Sequence, residues 1–280
     1  MIKNSTIIQG KHGKPIIIDW SYTGTGQPKP IIVFCHGYKG FKDWGAWNLM
    51  AKAFAKAGFY FVKFSFSYNG GTIEQPIDFP DLEAFGNNNY SIELDDLESV
   101  IDWVFNTTTP FEKEADINNL SLIGHSRGGG IVSIKAEEDS RVKQIISFAG
   151  VSNFKVRFPA VKAFDKWKND GVYYVENGRT KQQMPHYFQF YTNFIENEER
   201  LTIERAVKHL KIPHLIIHGD NDTSVSIKEA INLNKWNPMS QLKIIEGANH
   251  VFGASQPWDK DYIPNHLQEA INLSLLFLKK

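Results

Sequence analysis

Ser126 stands in Gly124-His125-Ser126-Arg127-Gly128, after the apolar run Leu120-Ser121-Leu122-Ile123 and before Ile131-Val132-Ser133-Ile134. A serine hydroxyl is a weak nucleophile until a base takes its proton. The pattern G-x-S-x-G between a buried strand and a helix is the turn that presents such a serine. Side chains flanking so sharp a turn would collide, so glycines two residues before and after are expected. The backbone N–H of Arg127 would open the following helix, where the peptide dipoles favour developing negative charge.

Acyl transfer from such a serine needs a second oxyanion donor, a base and a group that orients the base. His36-Gly37-Tyr38 follows the first long apolar run, and its shape offers the N–H of Tyr38 as the second donor. Residues 215–218 read as a strand leading to Gly219-Asp220-Asn221-Asp222-Thr223-Ser224-Val225. Asp222 is preferred there as the orienting acid, because Asp220 sits closer to the strand and can cap its own turn. Residues 242–245 read as a strand leading to Glu246-Gly247-Ala248-Asn249-His250, which makes His250 the base. The other histidines have plainer readings. His36 and His125 belong to turns, and His218 closes a strand. His209 and His214 flank a proline-containing connection, His186 lies in an insertion, and His12 and His266 are surface residues. The chain order Ser126, Asp222, His250 matches one of the known orders of such constellations.

The elements that must position these residues are legible from apolar spacing. Two β-rich segments, 5–9 and 15–21, open the chain; from residue 30 strands alternate with helices. Residues 31–35 form a continuous apolar run, which suits a strand buried on both faces. Further strands are expected over 59–66, 120–123, 142–148, 215–218 and 242–245. Helices are expected over 47–55, from about 91 to 104, and over 127–137, 227–236 and 265–278. This alternation predicts a largely parallel sheet with helices on both faces. Glu93, Asp95, Asp96, Glu98 and Asp102 of the second helix read as a solvated face rather than a metal cluster. Residues 151–208 break the rhythm. They carry many aromatics, Phe154, Phe158, Trp167, Tyr173 and Phe190 among them, and read as a cap whose aromatics mostly build its own small core. Within it, 173–176 and 179–181 flank Asn177-Gly178, a strong hairpin signal.

The chain has 280 residues, 42% hydrophobic and 22% charged, and its 31 basic and 31 acidic residues cancel. No global field draws it to nucleic acid or an anionic membrane. No apolar run approaches the roughly 18 residues of a membrane span. Met1 to Lys14 holds no apolar signal-peptide core, so a cytoplasmic location is expected. A single cysteine, Cys35, excludes an internal disulfide and a multi-cysteine zinc site. The chemistry outlined above calls for no metal and no organic cofactor.

The segments HGYKGFKDW, GHSRGG, HGDNDTSV and GANHVF resemble the α/β-hydrolase superfamily, over a span from about residue 5 to 280 outside the insertion. Within it they are similar to small bacterial carboxylesterases of the cinnamoyl and feruloyl esterase-like group, with serine aminopeptidase-like relatives. The resemblance implies an α/β-hydrolase fold: a mostly parallel eight-stranded sheet flanked by helices, with residues 1–150 and 209–280 as core and 151–208 as cap. It implies hydrolysis of a small-molecule ester through Ser126, Asp222 and His250, with an oxyanion hole from the N–H groups of Tyr38 and Arg127. A serine peptidase, an acyltransferase and a non-hydrolytic ligand-binding protein stay open as alternatives, and so does a homodimer. Arg127 departs from the Met or Gln common among these relatives, which leaves the role of its charge at the mouth of the site open.

Overall fold

The computed structural model describes residues 1–106 and 113–279. Among them, eight strands form one sheet: β1 (Ile2–Gln9), β2 (Pro15–Tyr22), β3 (Lys29–Cys35), β4 (Tyr60–Ser65), β5 (Ala115–His125), β6 (Val142–Phe148), then β9 (His214–Gly219) and β10 (Gln241–Ile245). A separate hairpin, β7 (Val172–Glu176) with β8 (Gln183–Tyr187), lies between β6 and β9 in the chain. The spatial order is β1-β2-β4-β3-β5-β6-β9-β10. The β1–β2 and β2–β4 pairings are antiparallel and the others are parallel.

The continuous apolar runs form strands because successive side chains point to opposite faces and both faces are covered. In β3, Ile31, Val33 and Cys35 enter one buried cluster, while Ile32 and Phe34 enter the other. Their neighbours follow suit: Val33 pairs with Val62 of β4 and with Leu122 of β5, all on the same face. Helices α1 (Trp47–Lys56) and α10 (Asn265–Leu278) cover the second face. The first is covered by α3 (Tyr90–Asn106), α4 (Arg127–Glu138), α8 (Ile203–His209) and α9 (Ile227–Trp236). A short helix, α2 (Leu82–Asn87), precedes α3 and carries an Asp81 cap whose Oδ1 accepts from Ala84 N–H at 2.9 Å.

Helices α5 (Val161–Asp170), α6 (Gln189–Glu196) and α7 (Glu198–Leu201) complete the stretch between β6 and α8. Among the aromatics of this stretch, Phe158, Phe164, Trp167, Phe188 and Tyr191 pack on one another, mostly edge to face, while Tyr173 and Phe190 border that cluster and, with Phe154, line a cavity.

Two local expectations are corrected. The hairpin does not turn at Asn177-Gly178 alone. Asn177 Oδ1 accepts the N–H groups of Arg179 (3.1 Å) and Thr180 (3.4 Å), and Asn177 N–H reaches Gln182 O at 2.8 Å. This side-chain cap makes residues 177–182 one loop, so the second strand is Gln183–Tyr187 rather than 179–181. The acidic face of α3 is not uniformly solvated either. Glu93 and Asp96 are buried, the first against Arg127 and the second accepting from Ser67 N–H (2.7 Å) and Ser67 Oγ–H (2.9 Å).

Candidate active site

Each segment singled out by its residue types leaves the C-terminal end of a parallel strand. His36-Gly37-Tyr38 follows β3, Ser126 follows β5, Asp222 follows β9 and His250 follows β10. In an open α/β sheet this edge is where ligands bind.

Ser126 has φ +57° and ψ −119°, a strained conformation for a residue with a side chain. Its surroundings hold it there. Ser126 N–H donates to Phe148 O at 2.9 Å, and Ser126 O accepts from Gly129 N–H at 2.9 Å and Val151 N–H at 3.1 Å. Only glycine fits on either side. A Cβ on Gly124 would lie 2.2 Å from Gly128 O, and one on Gly128 would lie 2.5 Å from Cys35 O.

The structure brings Ser126, His250 and Asp222 into one line. Ser126 Oγ is 2.9 Å from His250 Nε2, and His250 Nδ1 is 2.7 Å from Asp222 Oδ2. The Asp222 side chain is wholly buried, and Oδ1 accepts the N–H groups of Ser224 (2.8 Å) and Val225 (2.9 Å). Burial alone would raise its pKa. Hydrogen bonds from His218, His250 and Val225 N–H outweigh that and hold the carboxyl well below the usual carboxylate range. An ionised Asp222 assigns the ring proton of His250 to Nδ1 and leaves Nε2 free to accept from the serine hydroxyl. Asp220 has a different place: its Oδ1 accepts Gly247 N–H at 2.7 Å and ties the two loops together.

Three further histidines shape the site. His218 was read only as the end of a strand, yet its Nε2 lies 3.3 Å from Asp222 Oδ2 and 2.9 Å from Val225 O. The signal was its place four residues before Asp222, at the end of an inner strand. His125 is not aimed at Ser126; its Nε2 meets His250 O at 2.9 Å and its ring packs on Trp47 and His250. His36 braces the neighbouring loop, with Nδ1 2.8 Å from Gly37 O and Nε2 accepting Phe66 N–H at 3.2 Å.

That loop sits directly on the elbow, since a Cβ on Gly37 would lie 2.9 Å from Ser126 Cβ. Among the described residues, neither Tyr38 N–H nor Arg127 N–H has a protein acceptor. The Tyr38 hydroxyl lies 2.7 Å from Nε2 of His186, which belongs to β8. Burial first, then the charges of Arg127 and Lys39, bring the pKa of His186 down to about 3. The imidazole is therefore neutral. His186 O in turn accepts Trp167 Nε1–H at 2.8 Å.

The Arg127 side chain does not reach out to the mouth of the site. It turns inward to Glu93, with Nη1 3.1 Å from Oε1, and lies over the rings of Tyr38, Tyr90 and Phe190 at 4.6, 5.2 and 5.5 Å. Burial disfavours its charge, but the Glu93 carboxylate outweighs this and raises the guanidinium pKa. Two cavities meet at Ser126, His250, Tyr38 and Lys39. One, of about 290 Å³, runs past Trp44, Phe79 and Gln256. The other, of about 470 Å³, lies under Tyr173, His186 and Phe190. Among the described residues, no group of three or more His, Cys, Asp or Glu is placed to hold a metal, and no helix is long and apolar enough to cross a membrane.

The buried histidines give stability a pH dependence. Burial lowers His36 to about 4 and His125, His186 and His214 to about 3, from an ordinary value of 6.5. As pH falls through 6.5 the unfolded chain binds these protons and the folded chain does not, so stability drops. Asp96 opposes this. Burial raises it to about 7, so it takes up its proton in the folded state first and favours folding as pH falls below 7. Four groups outweigh one, and the urea midpoint is expected to fall between pH 7 and pH 5. A midpoint that rises over this interval would contradict the neutral state of the buried imidazoles.

No family model matches the chain. Two curated Escherichia coli relatives, uncharacterized 31.7 kDa proteins of the traX-finO intergenic region, are 33% and 32% identical to it over 120 residues. Each match takes in 42% of this chain and 36% of the relative, so the similarity spans about a third of their length. Among solved structures, Est1E from Butyrivibrio proteoclasticus with bound ferulic acid is similar at a TM-score of 0.73 and 17% identity, covering 98% of this chain and 99% of that one. The α/β hydrolase GrgF from Penicillium sp. sh18 is similar at 0.66 and 16% identity, covering 100% and 98%. Likeness at these identities speaks to the path of the chain.

Proposed function

On the α/β-hydrolase fold that this chain has, we propose that it works as a serine hydrolase, a carboxylesterase cleaving small or aromatic acyl esters. One observation carries the reading: a strained serine at the meeting point of two cavities, in line with His250 and a buried, ionised Asp222.

Ser126 Oγ attacks the ester carbonyl as His250 Nε2 takes its proton. Asp222 keeps the imidazole in the Nδ1–H tautomer and stabilises the imidazolium that forms. Negative charge developing on the carbonyl oxygen is met by the N–H groups of Tyr38 and Arg127. Each such donor is worth roughly 3 kcal/mol in the transition state. His250 then gives its proton to the departing alkoxide, which leaves as the alcohol. Water repeats the attack on the acyl-serine, with His250 again as base, and the carboxylic acid departs. The part of residues 151–208 that precedes α8 acts in this reading as a cap whose Tyr173 and Phe190 face the substrate.

An aminopeptidase would need a carboxylate to receive a peptide ammonium. Glu137 and Glu138 are engaged by Arg205 and Arg200, and no Asp or Glu lines either cavity among the described residues. The direct test is labelling with a fluorophosphonate, followed by mass spectrometry of the peptide holding Ser126. A single adduct on Ser126, blocked by heat denaturation, is the expected result. A folded protein that takes no label on Ser126 would overturn the proposal.

A further inference from the structure

The lining of the two cavities is one-sided in charge. Lys39, Arg127, Arg157 and Arg179 line them, and no acidic side chain does among the described residues. This is not a property of the whole chain, whose 31 basic and 31 acidic residues balance. Three of the cations are neutralised from behind: Arg127 by Glu93, Arg157 by Glu229 and Arg179 by Asp78.

Lys39 is the exception. It lines both cavities where they meet at Ser126, yet pairs with no carboxylate among the described residues. Its Nζ reaches only a backbone carbonyl, Glu176 O, at 3.4 Å, and lies 5.2 Å from the Tyr38 ring. Partial burial lowers its pKa, so the ammonium gives up hydration without gaining a counter-ion. The backbone there has φ +53°, a left-handed conformation disfavoured for lysine, so the loop holds this residue against its local preference. Arg127 lies 4.6 Å from the same Tyr38 ring, and only its Nη1 has a protein acceptor among the described residues. An unpaired ammonium and an open guanidinium edge thus share one aromatic wall beside the reactive serine. A carboxylate is the group that satisfies both, and guanidinium accepts it with directional hydrogen bonds.

We propose that the site takes esters bearing a carboxylate, received by Lys39 and the open edge of Arg127. The inference rests on the hydrolase reading above and narrows its substrate class.

Binding is measured by calorimetry on the Ser126→Ala protein, where no turnover interferes. If Ser126 proves not to be a nucleophile, this measurement still stands or falls by itself. Two pairs of probes match in length and differ in one charge. Monomethyl adipate against methyl hexanoate places the carboxylate on the acyl side. 6-Acetoxyhexanoate against hexyl acetate places it on the alcohol side. At least one carboxylate ester is expected to bind about tenfold or more tightly than its neutral partner, with an advantage that shrinks as salt is raised. Adding Lys39→Gln should abolish that ratio, and Lys39→Arg should keep it. Equal affinities within both pairs would overturn the proposal, as would an advantage that survives both Lys39→Gln and high salt. Should Lys39→Gln not fold, the salt series on the Ser126→Ala protein decides alone.

Discussion

Replacing Ser126 with alanine is expected to lower kcat for a short 4-nitrophenyl ester by about 10⁵- to 10⁶-fold, to a residue set by binding and the oxyanion donors. In the proposed mechanism the hydroxyl oxygen forms the acyl bond, and no other serine or cysteine in the described residues stands in line with His250. Alanine keeps the Cβ and so meets the same steric terms at φ +57° as serine does. The backbone bonds to Phe148 O and from Gly129 and Val151 do not involve the side chain. The variant should therefore melt within a few degrees of the wild type, which separates loss of chemistry from loss of fold. Turnover within tenfold of the wild type, measured under saturating ester, would remove Ser126 from the mechanism.

The second large effect belongs to Asp222→Asn, with an expected fall of about 10⁴-fold in kcat. The geometry explains why an isosteric change does so much. Two backbone donors, Ser224 N–H and Val225 N–H, hold an oxygen at the Oδ1 position. The amide nitrogen of asparagine must then occupy the place of Oδ2, 2.7 Å from His250 Nδ1. There it donates, the imidazole shifts its proton to Nε2, and the base toward Ser126 is lost. Asp220→Asn is the control two residues away. Among the described residues its carboxylate accepts only Gly247 N–H, and an amide oxygen does that equally well, so kcat should change by less than about tenfold. Comparable losses in the two variants would mean that the wrong aspartate has been assigned.

The reading that separated these aspartates came from position relative to a strand end, and much of the site was legible in the same way. Continuous apolar runs such as Ile31 to Cys35 mark inner strands because two covered faces leave no room for polar alternation. Once the strands are placed, whatever follows them lies at one edge of the sheet, and Ser126, Asp222 and His250 need no further information to be neighbours. What stayed hidden depends on side chains meeting across long stretches of chain. The partnership of Arg127 with Glu93 looks in sequence like an exposed cation and one acid of a solvated helix face. His218 facing Asp222 depends on which face of β9 each loop folds onto. The hairpin register was lost because Asn177 used its side chain to widen the turn, a choice its neighbour Gly178 does not advertise.

The bond between Tyr38 and His186 joins the loop beside Ser126 to a hairpin nearly 150 residues further along the chain. An exchange of this hairpin that brings an apolar residue to position 186 would leave the half-buried Tyr38 hydroxyl without its partner, against the peptide that carries the Tyr38 N–H. The two segments therefore form a single heritable unit. A graft that respects it must carry a hydrogen-bonding side chain at 186 or replace Tyr38 with phenylalanine in the same step.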